Sequence, residues 1–190
     1  MPSTVIRMPQ NSYRTGNSGR GDFGSGGIEI CCGFRVCSCI HLGFITSQSG
    51  LLKLFEILLG SFCQTLLVQF GMSSASDIGQ AFHGFLTTAS ACVMTSTILL
   101  ICYILSEKTY HLVRQSLFEL AFNLTACCLY LSASSYMGFA VNVWLYPKYL
   151  IHTANHAYPA MTAVYYIGTI VGIVHGLDAF ISFRAFRGYG

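Results

Sequence analysis

A chain of 190 residues with 53% hydrophobic and 9% charged side chains cannot clothe itself in a water-facing surface, for which roughly a quarter charged is usual. Its net charge of +3 is small and scattered, which excludes the dense basic face of a nucleic-acid binder. A mean hydropathy of +0.57 places it among proteins that cross a bilayer several times.

In chain order, Met1 to Gly27 repeats Gly, Ser, Asn and Arg without apolar periodicity, so it cannot bury enough surface to offset chain entropy. Residues 1–41 are therefore expected to form a disordered cytoplasmic tail, with a cysteine-rich segment next to the membrane. The tail lacks the apolar core of a signal peptide, and position two is not glycine, so the first hydrophobic helix is expected to remain as an anchor. Cys31, Cys32, Cys37 and Cys39, with Arg35 between them, suit reversible S-palmitoylation close to a membrane. Zinc is the competing use, with His41 as a further ligand, but the spacing lacks paired C-x2-C knuckles. Inert, reduced thiols are the third reading, and no metal is assigned.

A membrane-crossing helix needs about 20 apolar residues. Four segments meet that length, approximately Gly50 to Phe70, Phe82 to Leu105, Leu117 to Val141 and Ala160 to Phe183. The fold class expected is all-α, a compact four-helix transmembrane bundle over residues 42–187. An even number of crossings puts both ends on one side, together with Arg35, Lys53, Lys108, Arg114, Arg184 and Arg187 as well as the tail arginines. The other side has Lys148 alone. The excess of Lys and Arg on the cytoplasmic side of membrane proteins then predicts cytoplasmic termini. The remaining cysteines, Cys63, Cys92, Cys102, Cys127 and Cys128, fall inside helices, so no outer-loop disulfide is expected. Asn123-Leu124-Thr125 is the only N-glycosylation sequon and lies within the third helix, where no glycan could be attached.

Charged groups within apolar helices are costly unless paired. Glu56, Glu119 and Asp178 all fall near the cytoplasmic ends of their helices, with Lys53 on the face of Glu56 and Asn123 one turn from Glu119. His175, three residues before Asp178, is the one titratable relay nearby. A polar layer of Lys53, Glu56, Glu119, Asn123, His175 and Asp178 is expected, flanked by Arg114, Arg184 and Arg187. Structural pairing is favoured over proton or ion transport, because the acids cluster at one edge rather than at mid-membrane.

Helical spacing continues that layer through Gly60, Cys63 and Leu67 in the first helix, and through Ala126, Tyr130 and Ala133 in the third. In the second it lines up Gly84, Thr88, Ala91, Thr95 and Cys102. Gly168, Gly172 and Gly176 in the fourth let a neighbouring helix approach closely, either within the chain or across a dimer. His152 and His156 have metal-ligand spacing, but no carboxylate lies between them, so a metalloprotease reading fails. No catalytic constellation, cofactor or small-molecule substrate is assigned. Trp144, Tyr146 and Tyr149 in the second outer loop suit headgroup depth, so that loop is expected to lie along the outer leaflet. The bilayer is the expected partner, with a second copy or another membrane protein left open.

The opening Ser49-Gly50-Leu51-Leu52-Lys53-Leu54-Phe55-Glu56 and the closing Leu177-Asp178-Ala179-Phe180 resemble the MARVEL domain of tetraspan membrane proteins, over approximately Leu42 to Arg187. The stretches Arg114 to Glu119, Ser135 to Ala140 and Tyr158 to Ala163 are similar to an insect branch of that family acting in myoblast fusion. The resemblance implies a non-enzymatic membrane organiser in vesicle trafficking and membrane apposition, at the plasma membrane or on transport vesicles, and it brings no catalytic residues. A junctional scaffold between epithelial cells is the alternative it leaves, with a small transporter more distant.

Overall fold

A computed structural model describes residues 44–114, 116–151 and 156–188. The expected tail and its cysteines Cys31, Cys32, Cys37 and Cys39, together with His41 and His152, lie outside the described residues. Among the described residues no strand occurs, and four helical runs are long and apolar enough to cross a membrane.

Helix α1 (Gln48–Leu66) begins where Ser47 caps it, the Ser47 hydroxyl accepting the Gly50 amide at 3.1 Å. The run passes the expected end at Phe70 through a π-helical turn (Leu67–Gly71), a 3-10 turn (Met72–Ser74) and a short helix α2 (Ala75–Ile78). Serines and Gly71 read as a loop in the sequence, yet Leu67, Gly71, Ser74 and Ile78 are buried, and packing keeps the segment helical. The reversal comes at Gly79, whose φ of +48° is a backbone conformation that side chains resist. Helix α3 (Gln80–Leu105) then returns.

The next connection is itself helical, α4 (Glu107–Arg114), and leads into α5 (Leu117–Ala140). A second π-helical turn (Val141–Leu145) carries α5 into α6 (Tyr146–Ile151), so that Leu117–Ile151 is one uninterrupted helical run. Helix α7 (Ala157–Phe186) closes the bundle. Helix α1 packs on α3 and α7, α3 on α5, and α5 on α7, which closes a ring of four with each helix antiparallel to its neighbours.

The buried interior is mixed. Phe85, Tyr130, Met137, Met161, Val164 and Val171 form its apolar body, and Phe44, Leu99 and Tyr103 a smaller cluster at the end where the first and last described helices begin and finish. That end is called the near end below, and the end carrying α2 and α6 the far end. Large apolar side chains such as Phe55, Leu58, Phe62, Ile98, Ile170 and Phe180 point outward from every long helix, the pattern of a bundle whose solvent is lipid.

Two expected faces need correction. On α3, Gly84 and Ala91 are exposed, while the buried face presents Phe82, Phe85, Thr88, Cys92, Ser96, Leu99 and Tyr103. The buried face mixes bulky and small side chains, and Gly84 and Ala91 lie off it. On α5, the residue buried one turn beyond Tyr130 is Ser134, with Ala133 only partly covered.

Candidate functional site: a buried ionic cluster

Lys53 and Glu56 of α1, Arg114 of α4, Glu119 of α5 and Asp178 of α7 converge inside the near end of the bundle. Helix α1 places Lys53 and Glu56 three residues apart on its inner face, with Lys53 Nζ 2.9 Å from Glu56 Oε2. From there Nζ donates to Asn123 Oδ1 of α5 at 2.8 Å and lies 2.8 Å from Asp178 Oδ2 of α7. Glu119 Oε1 is further away at 3.9 Å, and the Phe122 ring lies 5.4 Å from the ammonium.

A second cation completes the arrangement. Arg114, the last residue of α4, turns inward and its Nη1 reaches Glu119 Oε1 and Asp178 Oδ1, each at 2.8 Å. Asp178 thereby bridges both cations, and its Oδ2 also accepts Asn123 Nδ2 at 2.8 Å. Two hydroxyls from α3 finish the shell: Ser96 donates to Glu56 Oε2 at 2.9 Å, and Tyr103 donates to Glu119 Oε2 at 2.8 Å. Every long helix therefore contributes.

His175 lies at the inner edge. Its Nδ1 lies 3.2 Å from Glu56 Oε1 and 3.3 Å from Asn123 Oδ1. The ring stacks on Tyr130 with centroids 5.7 Å apart and meets the edge of Phe122 at 5.9 Å. Three carboxylates, Glu56, Glu119 and Asp178, face two cations, Lys53 and Arg114. Lys53, Glu56, Glu119, Asn123, His175 and Asp178 are all essentially inaccessible to solvent.

In a hydrocarbon surrounding, leaving any one of these groups unpaired is more costly than the pairing is favourable. The cluster thus acts as an internal tie between helices that lipid would otherwise hold no more tightly to one another than to itself. Tyr103→Phe, which removes one donor to Glu119, should lower stability by about 1.5–3 kcal/mol, the usual worth of a hydrogen bond to a charged group. A detergent-solubilised melting curve measures it.

The structure brings the six residues of the expected layer together and adds three. Arg114 reads in the sequence as a flanking charge able to reach for water, yet it is buried and bridges two acids. Ser96 and Tyr103 escaped notice because hydroxyls on an apolar helix have no period of their own. Depth was the available signal, since Tyr103 sits at the same end of α3 as Glu119 does of α5. Arg184 and Arg187 stay on the exposed near end of α7.

The α7 glycines face α5. A methyl group built on Gly168 would stand 2.5 Å from Phe85 Cζ and 2.6 Å from Ser134 Oγ, so only hydrogen fits there. At Gly172 and Gly176 the nearest atoms are Leu131 at 3.2 Å and Cys127 Sγ at 3.3 Å. Of the far-end aromatics, Trp144 is exposed in the π-helical turn. Tyr146 and Tyr149 gather around Tyr158 of α7, with centroids 5.5 and 5.0 Å away. Among the described residues no group of His, Cys, Asp and Glu has the geometry of a metal site.

Four lipid-facing helices tied by a buried ion cluster define a multi-pass membrane protein. Residues 44–181 match the MARVEL family, described as a membrane-associating domain, and the chain belongs to that family. It is 54% identical over 162 residues to Protein singles bar of Drosophila melanogaster, an alignment covering 85% of this chain and 92% of the relative. No solved structure gives a significant match.

Proposed function

We propose that this chain is a non-enzymatic organiser of membranes that acts where two bilayers are brought together, and specifically in the fusion of myoblasts. The observation that carries this reading is the likeness to Protein singles bar, 54% identical over 92% of that protein's length. The cluster agrees with it: its acids and cations are turned on one another inside the bundle, the arrangement of a brace rather than of a transport path. On this reading the chain resides at the plasma membrane or on transport vesicles bound for it. An animal lacking the protein should accumulate mononucleate, unfused muscle precursors; normal multinucleate fibres would overturn the reading. Intact fusion with leaky gut epithelium would favour a junctional scaffold.

The near end is taken as cytoplasmic, supported by its excess of Lys and Arg over the far end. A sequon introduced around Thr153 should be glycosylated in microsomes, and one near Ser18 should not; the opposite pattern reverses the topology. Acylation of the tail is also proposed. Substituting serine at Cys31, Cys32, Cys37 and Cys39 together should abolish capture on an acyl-exchange resin, while retained capture would move the acyl group to another cysteine.

A further inference from the structure

We infer that Leu150 and Ile151, at the top of α6, form an apolar tip that engages the lipid of an opposing bilayer, an inference that rests on the membrane-apposition reading above. Height carries the tip past the host bilayer. Leu117 and Phe118, at the start of α5, are 63% and 58% exposed, and such side chains belong in hydrocarbon. From Leu117 a core of about 30 Å is spanned in about 20 residues, near Met137. The helical run nevertheless continues to Ile151, 35 residues in all. At 1.5 Å per residue that is about 52 Å, longer than the roughly 40–45 Å of a whole bilayer with its headgroups.

The extra length rises alongside α1 and α2. Lys53 of α1 and Asn123 of α5 are in contact at 2.8 Å and mark one level. Counting toward the far end, about 36 Å of α1 and α2 leads to Asp77 and about 38 Å of α5 and α6 leads to Lys148. Those two side chains meet at 2.6 Å. The two runs therefore rise together, and α6 has not folded down onto the leaflet by Lys148. The tip lies beyond that contact, with Leu150 62% and Ile151 75% exposed, about 9 Å further along the run than Trp144. This differs from the sequence expectation that the whole segment lies along the outer leaflet.

Charge fits the same partner. Asp77 and Lys148 are the only Lys, Arg, Asp or Glu at the far end among the described residues, and they neutralise one another. A neutral platform bearing exposed Leu and Ile meets no electrostatic barrier at a zwitterionic surface, and burying the two side chains in acyl chains is favourable at about 1.5–3 kcal/mol each. Tyr149 stacked on Tyr158 props the helix from behind.

The test uses the full chain in phosphatidylcholine vesicles with the far end outward. Trp144 is the sole tryptophan and lies below the tip, and Trp144→Phe combined with Leu150→Trp moves the single reporter to the tip. Brominated phosphatidylcholine in the host bilayer should quench Trp144 strongly and the tip reporter little. Brominated lipid in added protein-free vesicles should quench the tip reporter, and Ile151→Asp should reduce that quenching severalfold with the melting curve of the bundle unchanged. Strong quenching of the tip by host lipid, or none by the added vesicles, overturns the inference. If Leu150→Ser with Ile151→Ser still restores muscle fusion in the animal, the tip falls and the fusion reading stands; tip quenching by added vesicles in a protein dispensable for fusion has the reverse meaning.

Discussion

Lys53→Met should be the most damaging single substitution in the bundle, with an expected loss of about 3–5 kcal/mol, the range found when one partner of a buried ion pair is removed. The ammonium contacts Glu56 and Asp178 directly and donates to Asn123, so its removal leaves Glu56 without a cation and takes a partner from Asp178 and Asn123 on two further helices. Melting in detergent should shift markedly downward and delivery to the cell surface should fail. Removing the acid as well, as Lys53→Met with Glu56→Leu, should recover part of the loss, because Arg114 still serves Glu119 and Asp178. The single variants Glu56→Leu and Asp178→Leu should also impair delivery. Normal trafficking of Lys53→Met together with an unchanged melting curve would show that the cluster does not hold the helices together.

Gly168→Ala should be nearly as informative, since it adds a single carbon. That carbon would fall at 2.5 Å from Phe85 Cζ and 2.6 Å from Ser134 Oγ, both buried, so α7 must shift away from α5 or Phe85 must leave its place. Overpacking of this kind costs about 1–3 kcal/mol. Gly172→Ala and Gly176→Ala, with nearest atoms at 3.2 and 3.3 Å, should be milder in that order or equal. Phe85→Leu should relieve the Gly168→Ala defect. A graded loss along the three glycines, read as melting temperature, distinguishes close packing inside one chain from a face used by a second copy, which would change self-association and leave the monomer's melting alone.

The sequence was most legible where physics leaves few options. Four apolar stretches of bilayer length cannot be anything but crossing helices, and three acids at one depth in lipid must find cations, which is why Lys53, Glu56, Glu119, Asn123, His175 and Asp178 could be grouped before their distances were known. What stayed hidden depends on rotation and on register between helices. The small stripe on α3 had the right period, yet period does not say which way a stripe faces; Gly84 and Ala91 look outward because Phe85 and Tyr103 take the interior. Likewise the serines and glycine after Phe70 spell a turn locally, but burial of Leu67, Gly71 and Ile78 overrides them. Arg114 lay in a segment that reads as a polar connection, and only the docking of α4 against α5 and α7 brings its guanidinium inside.

The order in which the cluster's members leave the ribosome has its own consequence. Lys53 and Glu56 emerge first, then Arg114 with Glu119 and Asn123, and Asp178, which touches both cations, arrives only with the last helix. Until then Glu56 and Glu119 match the two cations in charge, but the places that Asp178 fills on Lys53 and Arg114 stay empty. A nascent chain is thus marked as unfinished until its final span enters, and any shortening within α7 would leave that mark permanently on display to the cell's quality-control machinery.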